Sequence, residues 1–303
     1  MFIVCKYYVT ISHRFGIMKR CCVFLSFVLI FFVFLQRKNE YDKKRIDMSE
    51  NIIDWTTEYP VISWRGYDWS MDAEGGRKIH PDSPYEYYHT DCVSRDGENI
   101  ILTVMERPQK VGHWNGVVYD SRYARGMIRS VNPFTYGTFV LECVLPGGGN
   151  LHSSFWLTNE KIWPPEIDIF EAYTNRSGCY MRWPAELRKR TLLPVYAIES
   201  NMHYSDSGGN HANTGADGCV VNKLRRPAKK VNEYRMEWTK DRITVIYGGN
   251  VVRELREDDF PEIFADLNRH PHMFLMINTG LRGDWFRGMK SGMVVRDFRY
   301  YPE

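Results

Sequence analysis

Apolar and polar positions alternate with a period of two over much of the 303-residue chain. Alternation of this kind predicts β-strands that bury one face and expose the other. One segment is almost wholly apolar instead, which predicts a strand buried on both faces. The predicted strands cover residues 99–108, 135–146, 294–301 and, for the apolar segment, 272–280.

A hairpin and one short helix complete the predicted elements. Residues 242–255 contain two alternating segments around a glycine pair, and Gly249–Asn250 is the predicted turn. A helical pattern is confined to residues 258–269. Many strands, frequent turns and little helix predict an all-β fold, a sandwich of two antiparallel sheets with a concave face on which a polymer can lie.

The N-terminal segment has a different pattern. Val23–Leu35 is apolar except for one serine, and basic residues lie on both sides of it. Its length lies between that of a signal-peptide core and that of a membrane span, and no small-residue cleavage site follows. An uncleaved segment would make the membrane a partner, and we expect a secreted or membrane-anchored protein with its domain outside the cytoplasm. The predicted units are a signal or anchor segment over 1–36, a polar linker over 37–52 and one domain over 53–303.

Charge is unevenly distributed along the chain. Residues 1–45 contain nine Lys/Arg and two Asp/Glu, whereas the remainder contains 31 and 35. A mildly acidic domain is not suited to binding nucleic acid, so we expect no nucleic-acid partner. We also expect the protein to be a monomer. Translation could begin at Met1 or at Met18, which opens a typical signal sequence.

Seven cysteines are present, and four of them fall in the predicted domain. They show no CxxC or other metal-ligand spacing. In an exported domain they could form up to two disulfides, or they could remain buried thiols. The four are Cys92, Cys143, Cys179 and Cys219.

Three carboxylates stand within six residues in the segment WPPEIDIFEAY (163–173). The prolines and the apolar residues between the acids predict a strand. Glu166 and Asp168 would share a face, and Glu171 would join them only if one extra residue bulges between Asp168 and Glu171. In such a row two carboxylates can hydrolyse a glycosidic bond with retention, and the third can raise the pKa of the acid. A charged edge without chemistry is the alternative.

The acid strand resembles the E-x-D-x-x-E motif of glycoside hydrolase family 16, which includes laminarinases, agarases and carrageenases. The resemblance implies a concanavalin A-like β-jelly roll whose concave sheet carries the substrate cleft. It also implies that Glu166 is the nucleophile, Asp168 an assisting carboxylate and Glu171 the acid/base. The similar blocks cover residues 123–173, 232–255, 272–285 and 294–301.

The same resemblance implies a cleft lined by aromatic and polar side chains. The substrate-binding candidates are Trp156, Trp163, His203, Asn278 and Trp285. No catalytic metal or required cofactor is expected. Asp297 falls where some family members bind a structural Ca²⁺, so such an ion is considered at that position.

The activity implied is that of a retaining, endo-acting glycoside hydrolase of a β-linked polysaccharide, first of all a β-1,3-glucan of laminarin type. Two basic stretches, at 182–190 and 223–230, instead favour an anionic galactan of the carrageenan or agar type. A cell-wall transglycosylase would use the same three acids, and a lectin-like binding module would lack at least one of them. The sequence leaves these alternatives open.

Overall fold

Strands make up 57% of the computed structural model and helices 6%, which confirms the all-β prediction. The structure describes residues 52–53, 57–73, 77–80, 82–159, 161–182, 195–196, 198–215 and 226–303. The predicted signal or anchor segment lies outside the described residues. So do nearly all of the linker, Cys219, residues 183–190 of the first basic stretch and residues 223–225 of the second. No helix within the described part of the chain has the length and apolarity needed to cross a membrane.

Sheet A carries the acid strand and contains eight antiparallel strands. Strands are numbered β1 to β23 along the chain. In spatial order sheet A consists of β17 (His211–Asn213), β16 (Ile198–Ser205), β13 (Glu166–Tyr173), β12 (Leu151–Thr158), β21 (Phe274–Leu281), β9 (Met127–Ser130), β3 (Tyr67–Ser70) and β2 (Ile62–Trp64).

Sheet B contains seven antiparallel strands and packs against the inner face of sheet A. In spatial order it consists of β20 (Asn250–Arg256), β19 (Arg242–Tyr247), β18 (Asn232–Trp238), β10 (Gly137–Val144), β23 (Met293–Pro302), β6 (Asn99–Leu102) and β5 (Val93–Asp96). The two large sheets confirm the predicted sandwich.

Sheet C is a smaller layer of four strands, and the sequence patterns did not predict it. Its outer pairs, β1–β7 and β4–β8, are parallel, whereas β7 and β8 form an antiparallel hairpin. The strands of sheet C are β1 (Ile52–Ile53), β7 (Val104–Gly112), β8 (Val118–Arg125) and β4 (Glu86–Tyr88). Two further pairs join β11 (Gly147–Gly148) to β22 (Met289–Ser291) and β14 (Met181–Arg182) to β15 (Val195–Tyr196).

The main core lies between sheets A and B. Phe155 and Ile167 enter it from sheet A, and Phe139, Leu141 and Trp238 enter it from sheet B; all five are fully buried. In β10, one side of the alternating pattern (Phe139, Leu141 and Cys143) is fully buried, and Val140 on the other side is buried as well. Burial of this much apolar surface is the main force that holds the two sheets together.

One helix and one helical turn complete the fold of the described residues. Helix α1 (Pro261–Arg269) lies within the predicted helical segment and begins with a proline, which suits the first helical position. Its buried Asp266 accepts a hydrogen bond from the backbone of Ser205, at the end of β16. The helical turn is a 3₁₀ helix at Thr90–Cys92.

Two predicted elements differ from the structure. The single strand predicted over 99–108 is two strands in different sheets, β6 and β7, which separate at Thr103. The hairpin turn is Gly248–Gly249 and not Gly249–Asn250, because Asn250 pairs with Tyr247 in the ladder. Both glycines have positive φ, 54° and 79°, as a tight hairpin turn requires.

Two of the cysteines are buried free thiols. Cys143 lies in the main core, whereas Cys92 lies in a separate hydrophobic cluster under sheet C. Burial raises the pKa of the Cys92 thiol to about 12. A disulfide between these two residues is therefore excluded in this fold.

Candidate active site

Strand β13 places the three carboxylates in one row on the outer face of sheet A. Asp168 pairs with Asn201 of the neighbouring strand β16, and Glu171 pairs with Glu199. Between these two pairs, two residues of β13 (Ile169 and Phe170) oppose one residue of β16 (Ser200), which is the signature of a β-bulge. The predicted bulge is confirmed, and it turns Glu171 to the face that holds Glu166 and Asp168.

Packing against sheet B explains why the bulge forms. Ile169 and Phe170 are consecutive, and both are fully buried in the core. The Phe170 ring lies 4.4 Å from the ring of Tyr234, and the Tyr247 hydroxyl donates to the Ile169 carbonyl at 2.6 Å. A regular strand would expose one of two consecutive apolar residues, so their burial stabilises the bulged backbone.

Glu166 lies between an indole and an imidazole. The Trp163 Nε1–H donates to Glu166 Oε2 at 2.8 Å, and His203 Nε2 lies 3.9 Å from Glu166 Oε1. Burial and the neighbouring Asp168 raise the pKa of Glu166 well above its ordinary value, although His203 and Trp163 oppose that shift. Trp163 is 52% exposed, so part of its ring is open to a ligand.

Asp168 is the most buried of the three acids. Its Oδ2 lies 3.4 Å from His203 Nε2, so this histidine faces two of the carboxylates. Burial, followed by the charge of Glu171, raises the pKa of Asp168 well above its ordinary value. The row therefore retains a proton more readily than isolated carboxylates would.

Glu171 has different surroundings. His152 Nε2 lies 3.1 Å from Glu171 Oε1, and the Tyr173 hydroxyl donates to the same oxygen at 2.6 Å. Burial raises the pKa of Glu171, but the contacts with His152 and Tyr173 outweigh it, and the pKa lies below its ordinary value. The His152 and Tyr173 rings stack at 4.6 Å, which fixes both donors.

The chain matches the family model of the glycosyl hydrolases family 16 over residues 83–285. That match covers about two thirds of the chain and includes the whole acid row. The chain belongs to glycosyl hydrolase family 16. No curated protein sequence matches it significantly.

Solved structures share the family 16 fold at low sequence identity. An endo-acting O-glycanase from members of the human gut microbiota has a TM-score of 0.59 and 15% identity, covering 82% of this chain and 88% of that chain. LamAcat of Zobellia galactanivorans has a TM-score of 0.55 and 15% identity over 77% and 89%. SCLam, a non-specific endo-β-1,3(4)-glucanase, has a TM-score of 0.55 and 17% identity over 81% and 87%.

The five residues suggested as substrate ligands lie at different places in this family 16 fold. Trp163 and His203 contact Glu166 directly, and Trp156 pairs across the sheet with Asp168. Asn278 is buried and accepts a hydrogen bond from the Trp156 indole at 2.7 Å. The fifth candidate, Trp285, contacts guanidinium groups instead of the acids.

The sequence reasoning missed several polar neighbours of the acids. Tyr173 follows Glu171 by two residues, so strand periodicity alone would have placed it on the same face. His152 reaches Glu171 only through the register of β12, which no local pattern specifies. His211 Nε2 lies 2.8 Å from His203 Nδ1, and their rings stack at 5.0 Å.

Two positions invite the question of a bound cation. Glu166, Asp168 and His203 offer ligand atoms that all lie within 4.8 Å of one another. The Trp163 N–H already occupies one Glu166 oxygen, so we assign no metal to these three residues. Asp297, considered for Ca²⁺, lies 3.0 Å from Arg65 Nε and 3.4 Å from Arg299 Nε. Two guanidinium groups disfavour a cation at Asp297.

Proposed function

We propose that this family 16 protein hydrolyses a β-linked polysaccharide with retention of anomeric configuration. The observation that carries the proposal is the bulged row of Glu166, Asp168 and Glu171 beside the exposed ring of Trp163. A β-1,3-glucan of laminarin type is the first substrate to test, because the structural neighbours include laminarinases and an endo-β-1,3(4)-glucanase. Those neighbours are endo-acting enzymes, and endo-action is the starting expectation here.

The proposed reaction proceeds by double displacement. Glu166 attacks the anomeric carbon while Glu171 donates a proton to the oxygen of the leaving sugar, which gives a covalent glycosyl-enzyme. Water then attacks this intermediate, and Glu171 accepts the proton of the water. Asp168 lies between the two glutamates, and its charge favours a proton on Glu171.

The location of the proton must change during binding. In the free site, the raised pKa values of Glu166 and Asp168 favour a proton on those groups, whereas the lowered pKa of Glu171 favours its ionised form. Catalysis requires the opposite arrangement. A sugar bound over Glu171 excludes water from that carboxylate, which raises its pKa and favours transfer of the proton to it.

The primary test is release of reducing sugar from laminarin, lichenan, agarose, κ-carrageenan and xyloglucan. We expect one of these polymers to be hydrolysed, and Glu166→Gln to lower kcat by on the order of a thousandfold or more. Glu142→Gln provides a matched control, because Glu142 pairs with Arg299 in sheet B. NMR of the first product should show the β-anomer; the α-anomer would contradict retention.

The rival activities give different results in the same assay. A transglycosylase would form products longer than the substrate when an acceptor sugar is added. A lectin-like module would bind a polymer of the panel without cleaving it. Absence of both binding and hydrolysis across the panel would contradict the proposed substrate class.

A second candidate substrate, an anionic glycan, is favoured by three arginines at the Tyr173 end of the row. We call them the arginine lip: Arg176 and Arg287, each 5.7 Å from the Trp285 ring centre, and Arg282, 5.2 Å from the Tyr173 ring centre. Within the described residues, no carboxylate forms an ion pair with the arginine lip. Unpaired guanidinium groups on aromatic rings suit sulfate or carboxylate substituents of a sugar.

The anionic candidate has its own test. Arg282→Gln should raise KM for a sulfated polymer about tenfold and leave KM for its desulfated form unchanged. Arg242→Gln, which removes an exposed arginine from the first residue of β19 in sheet B, is the matched control. Equal KM values for the sulfated and desulfated polymers in the wild-type protein would contradict this candidate.

A further inference from the structure

The outer face of sheet A is not open across its full width. Cross-strand partners share a face, so the outer face can be followed from strand to strand. Trp156 of β12 pairs with Asp168 on one side and with Met276 of β21 on the other, and Met276 pairs with Arg129 of β9. Met276 therefore lies on the same face as the acids, two strands away from them.

On β21, the side chains of the acid face are buried from Met276 onward, whereas Phe274 at the start of the strand is partly exposed. Met276 is 1% exposed and Asn278 4%, and Met127 of β9, which pairs with Asn278, is fully buried. On the outer face of a sheet such burial requires a covering layer. Ala73 and Tyr88 supply it, because they form one hydrophobic cluster with Met127 and Met276.

A buried ion pair extends this layer along β21. Gly280 pairs with His152, so it also belongs to the acid face. A side chain at Gly280 would collide with Arg125 and Glu86, whose atoms lie 3.0 Å from the position of its Cβ. We call Ala73, Glu86, Tyr88 and Arg125 together the β4 cover, after the strand that carries two of its members.

The β4 cover is held in place by polar contacts as well as by packing. Glu86 pairs with Arg125 at 2.7 Å and accepts a hydrogen bond from the Leu281 backbone N–H at 2.8 Å. The Arg125 guanidinium lies 4.1 Å from the Tyr88 ring centre, and the Tyr59 hydroxyl donates to the Tyr88 carbonyl at 2.8 Å. The cover is thus an integral layer of the fold and not a loop lying loosely over the sheet.

The other side of the acid row is different. His203 and Asn201 of β16 are partly exposed, and His211 and Asn213 of β17 are exposed. Among the described residues, the acid face is therefore accessible from β13 to β17 and covered at Met276, Asn278 and Gly280 of β21, whereas Phe274 of β21 and Arg129 of β9 are partly exposed. A glycan that passes between Glu166 and Glu171 must cross the strands, because both residues lie on one strand.

We propose that the β4 cover closes one side of the cleft and admits about two sugar rings between the cover and the scissile bond, because two strand spacings amount to ~10 Å. The proposal rests on the proposed hydrolysis of a polysaccharide. It replaces the starting expectation of endo-action by cleavage near a chain end. A chain that stops at the cover is cut close to one of its ends and releases short fragments. The substrate class is therefore a polymer with accessible chain ends.

The first test is the product profile of the full-length wild-type protein on the panel polymer that it hydrolyses. We expect fragments of constant, short length from the earliest turnover, together with a slow fall in viscosity. Long fragments of many sizes in early turnover, with a steep fall in viscosity, would overturn the proposal.

The second test uses oligosaccharides of increasing length with a fluorescent label at the reducing end. The labelled product gives the number of sugars on each side of the cut. On one side this number should stop at about two, and kcat/KM should no longer rise with further sugars there. Productive binding of longer segments on both sides would contradict the closed side.

A variant pair examines the β4 cover directly. Tyr88→Ala removes its largest ring and should lengthen the fragment released, whereas Asn213→Ala, on the accessible side, should leave the fragment length unchanged. A folded Tyr88→Ala protein with unchanged fragments would count against the proposal. If Tyr88→Ala does not fold, the wild-type oligosaccharide series decides the matter alone.

Failure of this proposal and failure of the proposed function give different results. If no panel polymer is hydrolysed, the proposed function fails. If a panel polymer is hydrolysed to long fragments, the proposed function stands and only the proposed role of the β4 cover is rejected.

Discussion

Glu166 and Glu171 share a row but have opposite electrostatic surroundings. Glu166 is partly buried beside Asp168, and its pKa lies well above the ordinary value. Glu171 contacts His152 and Tyr173, and its pKa lies below the ordinary value. The proposed roles require an ionised Glu166 and a protonated Glu171 during catalysis. The contacts that lower the pKa of Glu171 should therefore affect the pH dependence of activity.

Replacing His152 by Phe should extend activity to higher pH. The Phe ring can keep the stacking on Tyr173 but cannot donate to Glu171, so the pKa of Glu171 should rise. Because Glu171 must be protonated to act as an acid, the alkaline limb of kcat/KM should move up by about one pH unit. His211→Phe, which alters the contact with His203, should leave this limb in place. An unmoved limb in His152→Phe would contradict the assigned role of Glu171.

Asp168→Asn should stabilise the folded protein while it lowers activity. The folded state raises the pKa of Asp168, so ionising this group opposes folding, and the protein loses stability as pH rises above the unfolded value of about 3.9. At pH 7 the Asn variant should therefore gain on the order of 1 kcal/mol in free energy of unfolding. The gain should vanish below about pH 3.9. Urea unfolding at the two pH values measures it, and equal stability at pH 7 would contradict the assigned burial effect.

Residues that carry a local signal were predictable from sequence, whereas residues that act through register were not. The spacing of the three acids identified them as candidates, and Trp163 was identified by its position three residues before Glu166. His152 lies 19 positions before Glu171, and only the pairing of β12 with β13 brings them together. Trp285 was chosen by similarity, and in the structure its ring contacts the arginine lip.

At the level of elements, the bulge was predictable because consecutive residues in the sequence cause it. Ile169 and Phe170 are both apolar and both need a place in the core, while the acids on either side need the outer face. The hairpin turn was misplaced by one residue. Two adjacent glycines satisfy the backbone requirement at both central positions better than a glycine and an asparagine do.

Sheet C could not be predicted, although most of its strands follow ordinary patterns. An alternating pattern shows that a strand has a buried face but does not say which sheet the strand joins. The chain leaves sheet B at Thr103 without a turn residue, so the single strand predicted there looked continuous. The outer strand β4 is short and pairs in parallel with β8, more than thirty residues away.

Strand β4 anchors sheet C to sheet A, and the stability of the protein should depend on the charge of its Glu86. Glu86→Gln leaves Arg125 buried without its anionic partner, so the free energy of unfolding should fall by about 3 kcal/mol. Glu106→Gln breaks an exposed pair with Arg122 in the same small sheet and should lower it by less than about 1 kcal/mol. Urea midpoints of the two variants give the comparison, and equal midpoints would contradict the anchoring role.

At the scale of the whole molecule, Asp297 connects the two large sheets. Arg65, in the turn between β2 and β3 of sheet A, binds the Asp297 carboxylate and the Arg296 carbonyl of β23 in sheet B. This arrangement fills the position considered for Ca²⁺ with positive charge. The sheets are thus joined at this edge by a guanidinium group.

Chelation should not destabilise the protein. We expect the same melting temperature with and without excess EDTA, and no rise when Ca²⁺ is added back, because Arg65 and Arg299 disfavour a cation at Asp297. Asp297→Asn should lower the free energy of unfolding by about 1 kcal/mol or less, since the pairs are partly exposed. A clear loss of melting temperature with EDTA would show that a bound cation stabilises the fold.

The two strand spacings between the acids and the β4 cover act as a ruler. Their length is set by backbone hydrogen bonds between neighbouring strands, and side-chain substitutions do not change it. The length of the released fragment should therefore change in whole sugar units and only when the position of the cover changes. The length of the product could then be redesigned by shifting β4 or shortening its side chains, with the catalytic carboxylates left unchanged.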